Sequence, residues 1–289
     1  LWFGALSGCA PVAAPPAANA KAAVAADRVA VSPRKSVEKS VVAARAEPLV
    51  EPAIVAPVAQ PAATAPEACP EGMSLLPGGV CIDRWECSLL VVAADGSSKP
   101  WSPFQTLGRA ATTFQAVSLP GVVPQGYISG ARAEEACQTA GKRLCSSEEW
   151  QTACRGPERS LYPYGNRRQA HVCNDDGRGK HPLVDLTERL GLAPERMWRD
   201  SMEHPMINQL PNTLRKTGER SGCTNAYGVY DMVGNLHEWV DDSAGTFRGG
   251  FYMDTRINGE GCAYATTAHN KRYHDYSTGF RCCKDALPR

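Results

Sequence analysis

The stretch NAYGVYDMVGNLHEW, Asn225–Trp239, decides how this chain is read. Gly228 and Gly234 permit sharp backbone turns, and Asp231, Asn235 and Glu238 bring hard oxygen donors at short spacing among apolar residues. Such a loop can wrap a Ca²⁺ ion, which accepts carboxylate, amide and backbone carbonyl oxygens in flexible geometry. The plainer reading of the same residues is structural. Asp231 and Asn235 then make side-chain turns while Tyr227, Tyr230, Trp239 and the valines pack a core.

Four more blocks stand around this stretch: GKRLCSSEEWQTACRG at Gly141–Gly156, YPYGN at Tyr162–Asn166, RGG at Arg248–Gly250 and GFRC at Gly279–Cys282. In this order the blocks resemble the formylglycine-generating enzyme family, whose sulfatase-modifying-factor domain carries a G-(V/L)-x-D/N-(M/I)-x-G-N-x-x-E-W signature. The resemblance runs from Cys69 to the C-terminus. It implies an α+β fold of C-type-lectin-like form, loop-rich, low in regular secondary structure and stapled by disulfides. It also implies copper-dependent oxidation of sulfatase cysteines to formylglycine. For calcium it implies side-chain oxygens from Asp231 and Glu238 and backbone carbonyls from Gly234 and Leu236. Asn174 and Asp175, in VCNDD, resemble the start of the family's other calcium site.

The copper chemistry is where the resemblance breaks. In the family two thiolates near the chain end hold Cu(I), a soft ion that selects sulfur, and the first follows RGG after three residues. Here the segment reads RGGFYMDTRINGEGC, so Asp254 stands where that thiol belongs and nothing from Arg256 to Gly259 supplies a second. Phe251 replaces the family's Ser, and His237 replaces the first Trp of its W-E-W. A carboxylate and a phenyl ring cannot replace a Cu(I) dithiolate, so copper is not expected and the expectation is a non-catalytic member. The alternatives are a formylglycine oxidase with relocated thiols, or a metal oxidase holding iron or zinc on His237, His269, His274 and Asp254. Five residues between His269 and His274 is no metal-ligand signature, however.

Twelve cysteines in a chain of 289 residues point to an oxidising compartment. There is no C-x-x-C pair, and the only close pair is Cys282 beside Cys283, so disulfides are a better reading than zinc. The resemblance implies that Cys137 pairs with Cys282 and Cys154 with Cys262. From the remainder, Cys69 is assigned to Cys81, Cys173 to Cys223 and Cys145 to Cys283, leaving Cys87 over.

The formal net charge is +1 with both signs interspersed, and no basic stripe invites nucleic acid. No apolar run approaches the roughly 20 residues of a membrane-spanning helix. The chain opens without Met on LWFGALSGC, whose Leu6-Ser7-Gly8-Cys9 resembles a lipobox, so residues 1–9 read as the end of a truncated signal peptide with Cys9 the lipidated residue. Residues 10–68 are rich in Ala, Pro and Val and contain no Gly, Cys or aromatic residue, which marks a disordered tether of about 180 Å contour at about 3.1 Å per residue. Residues 69–289 form the folded domain. The expected setting is the bacterial cell envelope, periplasmic or surface side, with the membrane reached through lipid.

Within the domain, Pro77-Gly78-Gly79 predicts a hairpin, and the Pro-interrupted stretch that follows, to Pro124, predicts long loops. Helices are expected over Ala131–Ala140 after Ser129, from Ser146 with Glu149 completing a capping box, and around Leu183, Leu186 and Leu190. Phe247–Met253 and Gly279–Cys283 predict short strands framing a loop. That loop, Asp254–Ser277, carries Tyr264, His269, Asn270, Arg272, Tyr273 and His274, residue types that suit a recognition surface for a protein or glycan. Alternatively they fill the gaps of a loop-rich fold.

Overall fold

A computed structural model describes residues 69–108 and 112–287; Cys9 and the 10–68 tether lie outside the described residues. In chain order these residues form β1 (Met73–Leu76), β2 (Val80–Asp83), β3 (Cys87–Val92), β4 (Ser98–Pro100), β5 (Thr113–Ser118), α1 (Gly130–Thr139), β6 (Arg143–Leu144) and α2 (Ser147–Arg155). There follow α3 (Pro182–Arg189), α4 (Met197–Asp200), β7 (His237–Trp239), β8 (Phe247–Arg248), β9 (Ala265–Thr266), β10 (Thr278–Phe280) and β11 (Cys282–Asp285). Three small sheets result, ordered β1-β2-β11-β6, β10-β7-β8-β9 and β4-β3-β5. The expected α+β, loop-rich, disulfide-stapled character is what the structure shows.

The hairpin at Pro77-Gly78-Gly79 is β1 and β2, with both glycines at positive φ and the Cys69–Cys81 disulfide closing it. The stretch after it differs from expectation. Instead of long loops it holds the β4-β3-β5 sheet, in which Leu89, Phe114 and Ala116 are buried on alternate positions while their neighbours are not. Pro100 ends the edge strand β4, where a missing N–H costs no ladder bond.

The helices follow their caps. Ser129 Oγ accepts from Arg132 N at 3.3 Å to open α1. At α2 Ser146 Oγ accepts from Glu149 N at 3.2 Å and Glu149 Oε2 accepts from Ser146 N at 2.7 Å, while both Glu149 oxygens also meet Arg143. The expected strand over Phe247–Met253 stops at Arg248, because Gly249 and Gly250 take φ of 81° and 70°. At Gly250 a Cβ would lie 2.2 Å from the Asp254 carbonyl, so the turn is closed to other residues. The C-terminal strand also divides. β10 runs parallel to β7, β11 runs antiparallel to β2 and β6, and Arg281 alone separates them.

The core gathers around two tryptophans with no solvent exposure. Trp150 of α2 packs with Ile82, Tyr162, Met232 and Val233, and Trp239 of β7 packs with Ile128, Phe247 and Phe280. Both indole N–H groups are satisfied, by Glu238 Oε2 at 2.7 Å and by the Ile128 carbonyl at 2.9 Å. Five disulfides tie this core: Cys69–Cys81, Cys137–Cys282, Cys145–Cys283, Cys154–Cys262 and Cys173–Cys223. Three of them close separations of 108 to 145 residues, loops for which a bridge contributes about 3 to 5 kcal/mol. Ser146→Ala should therefore lower stability by only about 1 kcal/mol, the cost of one lost cap. A urea midpoint compared with the parent chain checks this, and a loss of cooperative folding would contradict it.

Candidate functional site

The signature stretch is built on a buried ionic knot. Arg281 and Glu238 are 0% and 1% exposed, and they meet through Nε to Oε2 and Nη2 to Oε1, each at 2.6 Å. Arg281 also donates to the carbonyls of Asp83 at 3.0 Å and Tyr230 at 2.8 Å. Beside them sit two more buried acids. Glu86 accepts from Asn235 Nδ2 at 2.5 Å and from the Leu236 N–H at 3.1 Å, and Asp231 Oδ2 accepts from the Gly218 N–H at 2.6 Å. Asp231 and Asn235 both take positive φ, 57° and 56°, the turn role that short polar side chains tolerate.

Three carboxylates thus share one guanidinium away from water. Burial, with Asp231 and Glu238 adding to it, pushes Glu86 well above the carboxylate range. Burial likewise pushes Asp231 up to about 7, against the lowering effect of the Gly218 hydrogen bond and of Arg281. A divalent cation would offset the excess negative charge, and the donors are the hard oxygens that calcium takes. Glu238 Oε1 has one guanidinium partner and so keeps a lone pair, whereas Oε2 already receives both Trp150 and Arg281. Asp231 and Glu238 bring donors of the type and charge calcium takes, but their carboxylates and that of Glu86 do not gather within 4.8 Å of one another, and both Glu238 oxygens already meet Arg281.

Asn174 lies against this loop: its carbonyl accepts from Asn235 N at 3.0 Å and its amide donates to Asn235 Oδ1 at 2.8 Å. Asp175 is otherwise employed. Both its carboxylate oxygens meet Arg168, and Oδ2 also takes Thr255, so its charge faces a guanidinium rather than an open ligand position.

At the position of the family's first copper thiol, Asp254 Oδ1 accepts from the N–H groups of Arg256 and Ile257, at 2.9 and 3.1 Å. Its main chain exchanges both hydrogen bonds with Phe251 across the tight turn after Gly250. The carboxylate is a turn cap. Phe251 fills the space beside it, packing on His237, Tyr252 and Tyr276. His237 is enclosed by Phe247, Phe251 and Tyr264, with Nδ1 3.1 Å from Ser277 Oγ and Nε2 3.3 Å from Tyr264 Oη. Burial, then His269, lowers its pKa to about 3, so it is a neutral ring.

The three histidines do not converge on a metal. His269 stacks on Tyr273 with ring centroids 3.7 Å apart, and His274 Nδ1 turns to Glu203 at 3.4 Å. Among the described residues the group of His, Cys or acidic donors within 4.8 Å of one another is Asp83, Cys87 and Cys282, and there the Cys282 sulfur is bonded to Cys137 and Asp83 is paired with Lys142 at 2.6 Å. His237, His269, His274 and Asp254 are thus not brought within 4.8 Å of one another among the described residues. Relocated thiols fare no better, since the described residues hold one free cysteine, Cys87, and a Cu(I) dithiolate needs two.

The expected recognition surface divides. Arg272 and His274 line a cleft of about 670 Å³ with Glu203 and with Tyr127, Ser129 and Arg132 around the start of α1. Tyr273 lines an adjoining hollow with Arg199 and Trp198, which is 60% exposed. The Arg272 guanidinium is exposed and has no ion pair among the described residues. His269 belongs instead to the aromatic packing on Phe247.

A family model for the sulfatase-modifying factor enzyme 1-like domain matches residues 104–286, and the chain belongs to this family. The "Inactive C-alpha-formylglycine-generating enzyme 2" of Bos taurus is 29% identical over 176 residues, covering 56% of this chain and 50% of that protein. The "Formylglycine-generating enzyme" of Mus musculus is 29% identical over 195 residues, covering 57% and 45%. The chain spans about half the length of the curated relatives it matches. Among solved structures, the Major Tropism Determinant U1 variant aligns with TM-score 0.41 at 18% identity, covering 78% of this chain and 55% of that one. CarF aligns with TM-score 0.40 at 16% identity, covering 71% and 86%.

Sequence reasoning passed over Glu86 and the Asp83–Lys142 pair. Glu86 carried only a weak signal, an acid in the apolar run VCIDRWECSLLVV, and its partners Asn235 and Leu236 lie 149 and 150 residues away. An acid whose folded pKa exceeds its unfolded value holds its proton better when folded. Asp231 therefore contributes stability that is lost as pH rises from about 4 to about 7, and Glu86 acts in the same sense. With chelator present, the melting temperature should fall across that window, less so in Asp231→Asn, and added Ca²⁺ should restore it at the upper end. A flat profile in the parent chain would contradict the buried charge excess.

Proposed function

We propose that this chain is a non-catalytic, lipid-anchored envelope member of the sulfatase-modifying-factor family that binds a protein or glycan partner. The observation that carries the reading is Asp254 as a turn cap, with Phe251 packed beside it, where the copper chemistry would need sulfur. Active and inactive relatives match at the same 29% identity, so overall similarity does not choose between them and the site must. The cleft by α1 is the place for the partner: the free Arg272 guanidinium, Arg132 and the exposed Trp198 nearby offer charge and aromatic area of the kind that dominates binding surfaces. Ca²⁺ at Asp231 and Glu238 would hold the signature loop in shape and takes no part in chemistry. Lipid attachment at Cys9, with residues 10–68 as tether, rests on the Leu6–Cys9 block and on the composition that follows it.

Anaerobic titration with Cu(I) should give no stoichiometric complex with thiolate-to-copper absorption. A tight one-to-one complex would overturn the non-catalytic reading. Mass spectrometry of the protein from its native membrane should find diacylglycerol on Cys9, and an unmodified Cys9 would remove the anchor.

A further inference from the structure

The free thiol of Cys87 is not isolated. Its Sγ lies 3.9 Å from Cys282 Sγ, which is bonded to Cys137 Sγ, so three sulfurs from β3, β11 and α1 form one cluster. None is more than 1% exposed. A fourth group completes it. Asp83 Oδ2 accepts from the Cys87 thiol at 3.2 Å and from the Cys282 N–H at 3.1 Å, while Oδ1 takes Lys142 Nζ at 2.6 Å. A thiol in contact with a disulfide sulfur, with a carboxylate on its hydrogen, has the parts that exchange requires.

We propose that Cys87 is an internal exchange thiol that moves the α1 staple: it attacks Cys282 Sγ, forms a Cys87–Cys282 disulfide and releases Cys137 as a thiol. One S–S bond breaks and one forms. The Cys87 proton passes to Asp83 and on to solvent, the Cys137 thiolate takes a proton from solvent as the fold opens, and no electron enters or leaves, so neither oxidant nor reductant is consumed. Lys142 holds the carboxylate in place throughout.

Two physical features shape the equilibrium. Chain entropy barely distinguishes the two linkages, because separations of 145 and 195 residues differ little on a logarithmic scale. Local geometry therefore decides. Burial, and after it the Asp83 charge, push the Cys87 thiol well above its ordinary range, which keeps exchange slow in the closed fold and couples it to opening between β3 and β11. The consequence is mechanical. The covalent tie passes from helix α1 to strand β3, and α1, whose first residues line the Arg132 cleft, is left held by packing and by non-covalent contacts such as Ala131 N to the Lys271 carbonyl and Arg132 Nη2 to the Thr112 carbonyl, both at 2.9 Å. The exchange itself does not depend on any ligand in that cleft.

Disulfide mapping of the full chain in a Cys9→Ser background tests this, with acid quench, alkylation in denaturant and non-reducing digestion. Cys137→Ser should yield a Cys87–Cys282 linked peptide and no alkylated cysteine. Alkylation of both Cys87 and Cys282 in the folded variant would overturn the proposal. Where Cys137→Ser does not fold, the parent sulfurs decide. After incubation in sub-denaturing urea at about pH 8.5, near the ordinary thiol pKa, a fraction of chains should carry Cys87–Cys282 with Cys137 alkylated, and Cys87→Ser should abolish that product. Alkylation confined to Cys87 would overturn it.

Discussion

The structure hangs on the Arg281 guanidinium. Arg281 is the one residue between β10 and β11, the point where the chain leaves one sheet for another, and its side chain reaches Glu238 on β7, the end of β2 at Asp83 and the signature loop at Tyr230. A buried cation of this kind is tolerable only because nearly every donor finds an acceptor, two of them on an opposed carboxylate. Glu238 in turn fixes the Trp150 indole, and so the pitch of α2 against the loop. Two sheets, a helix and the signature stretch are registered by one ion pair.

That arrangement explains how the scaffold can accept change at the positions where the family's copper chemistry sits. The features that hold the fold, namely Arg281 with Glu238, the two buried tryptophans, the positive-φ Gly249 and Gly250, and the long-range disulfides, lie outside the positions that have changed. The changed positions have been absorbed locally: Asp254 satisfies two backbone N–H groups, Phe251 fills an aromatic gap, and His237 stays neutral between Ser277 and Tyr264. None of these substitutions leaves a buried group without a partner. Each residue there is better suited to packing than to binding a redox metal.

What was legible in the sequence follows the range of the interactions. Caps and tight turns depend on neighbours a few residues away, so Ser129, Ser146 with Glu149, and Pro77-Gly78-Gly79 could be placed directly. The partners in Cys137–Cys282 and Cys154–Cys262 are far apart in the chain and were reachable because the ordered blocks carried that pairing with them, while the other three pairs were assigned from the cysteines that remained. The β4-β3-β5 sheet was missed because its prolines read as loop signals, although Phe114 and Ala116 alternate as a strand should. The ionic partners were hidden altogether. No spacing rule tells that Asp175 meets Arg168 and not a cation, that Glu86 joins a loop 149 residues away, or that His269 stacks on Tyr273 while His274 turns to Glu203.

A double-mutant cycle on Glu238 and Arg281 measures the controlling interaction directly. In Arg281→Met and in Glu238→Gln taken singly, unfolding free energy should drop by about 3 to 5 kcal/mol, because each leaves a buried charge without its counter-ion. The combined variant should lose clearly less than the sum, giving a coupling energy well above the scatter of independent sites, about 0.5 kcal/mol. Strictly additive losses, or single variants as stable as the parent, would show that the sheets are registered by something other than this pair.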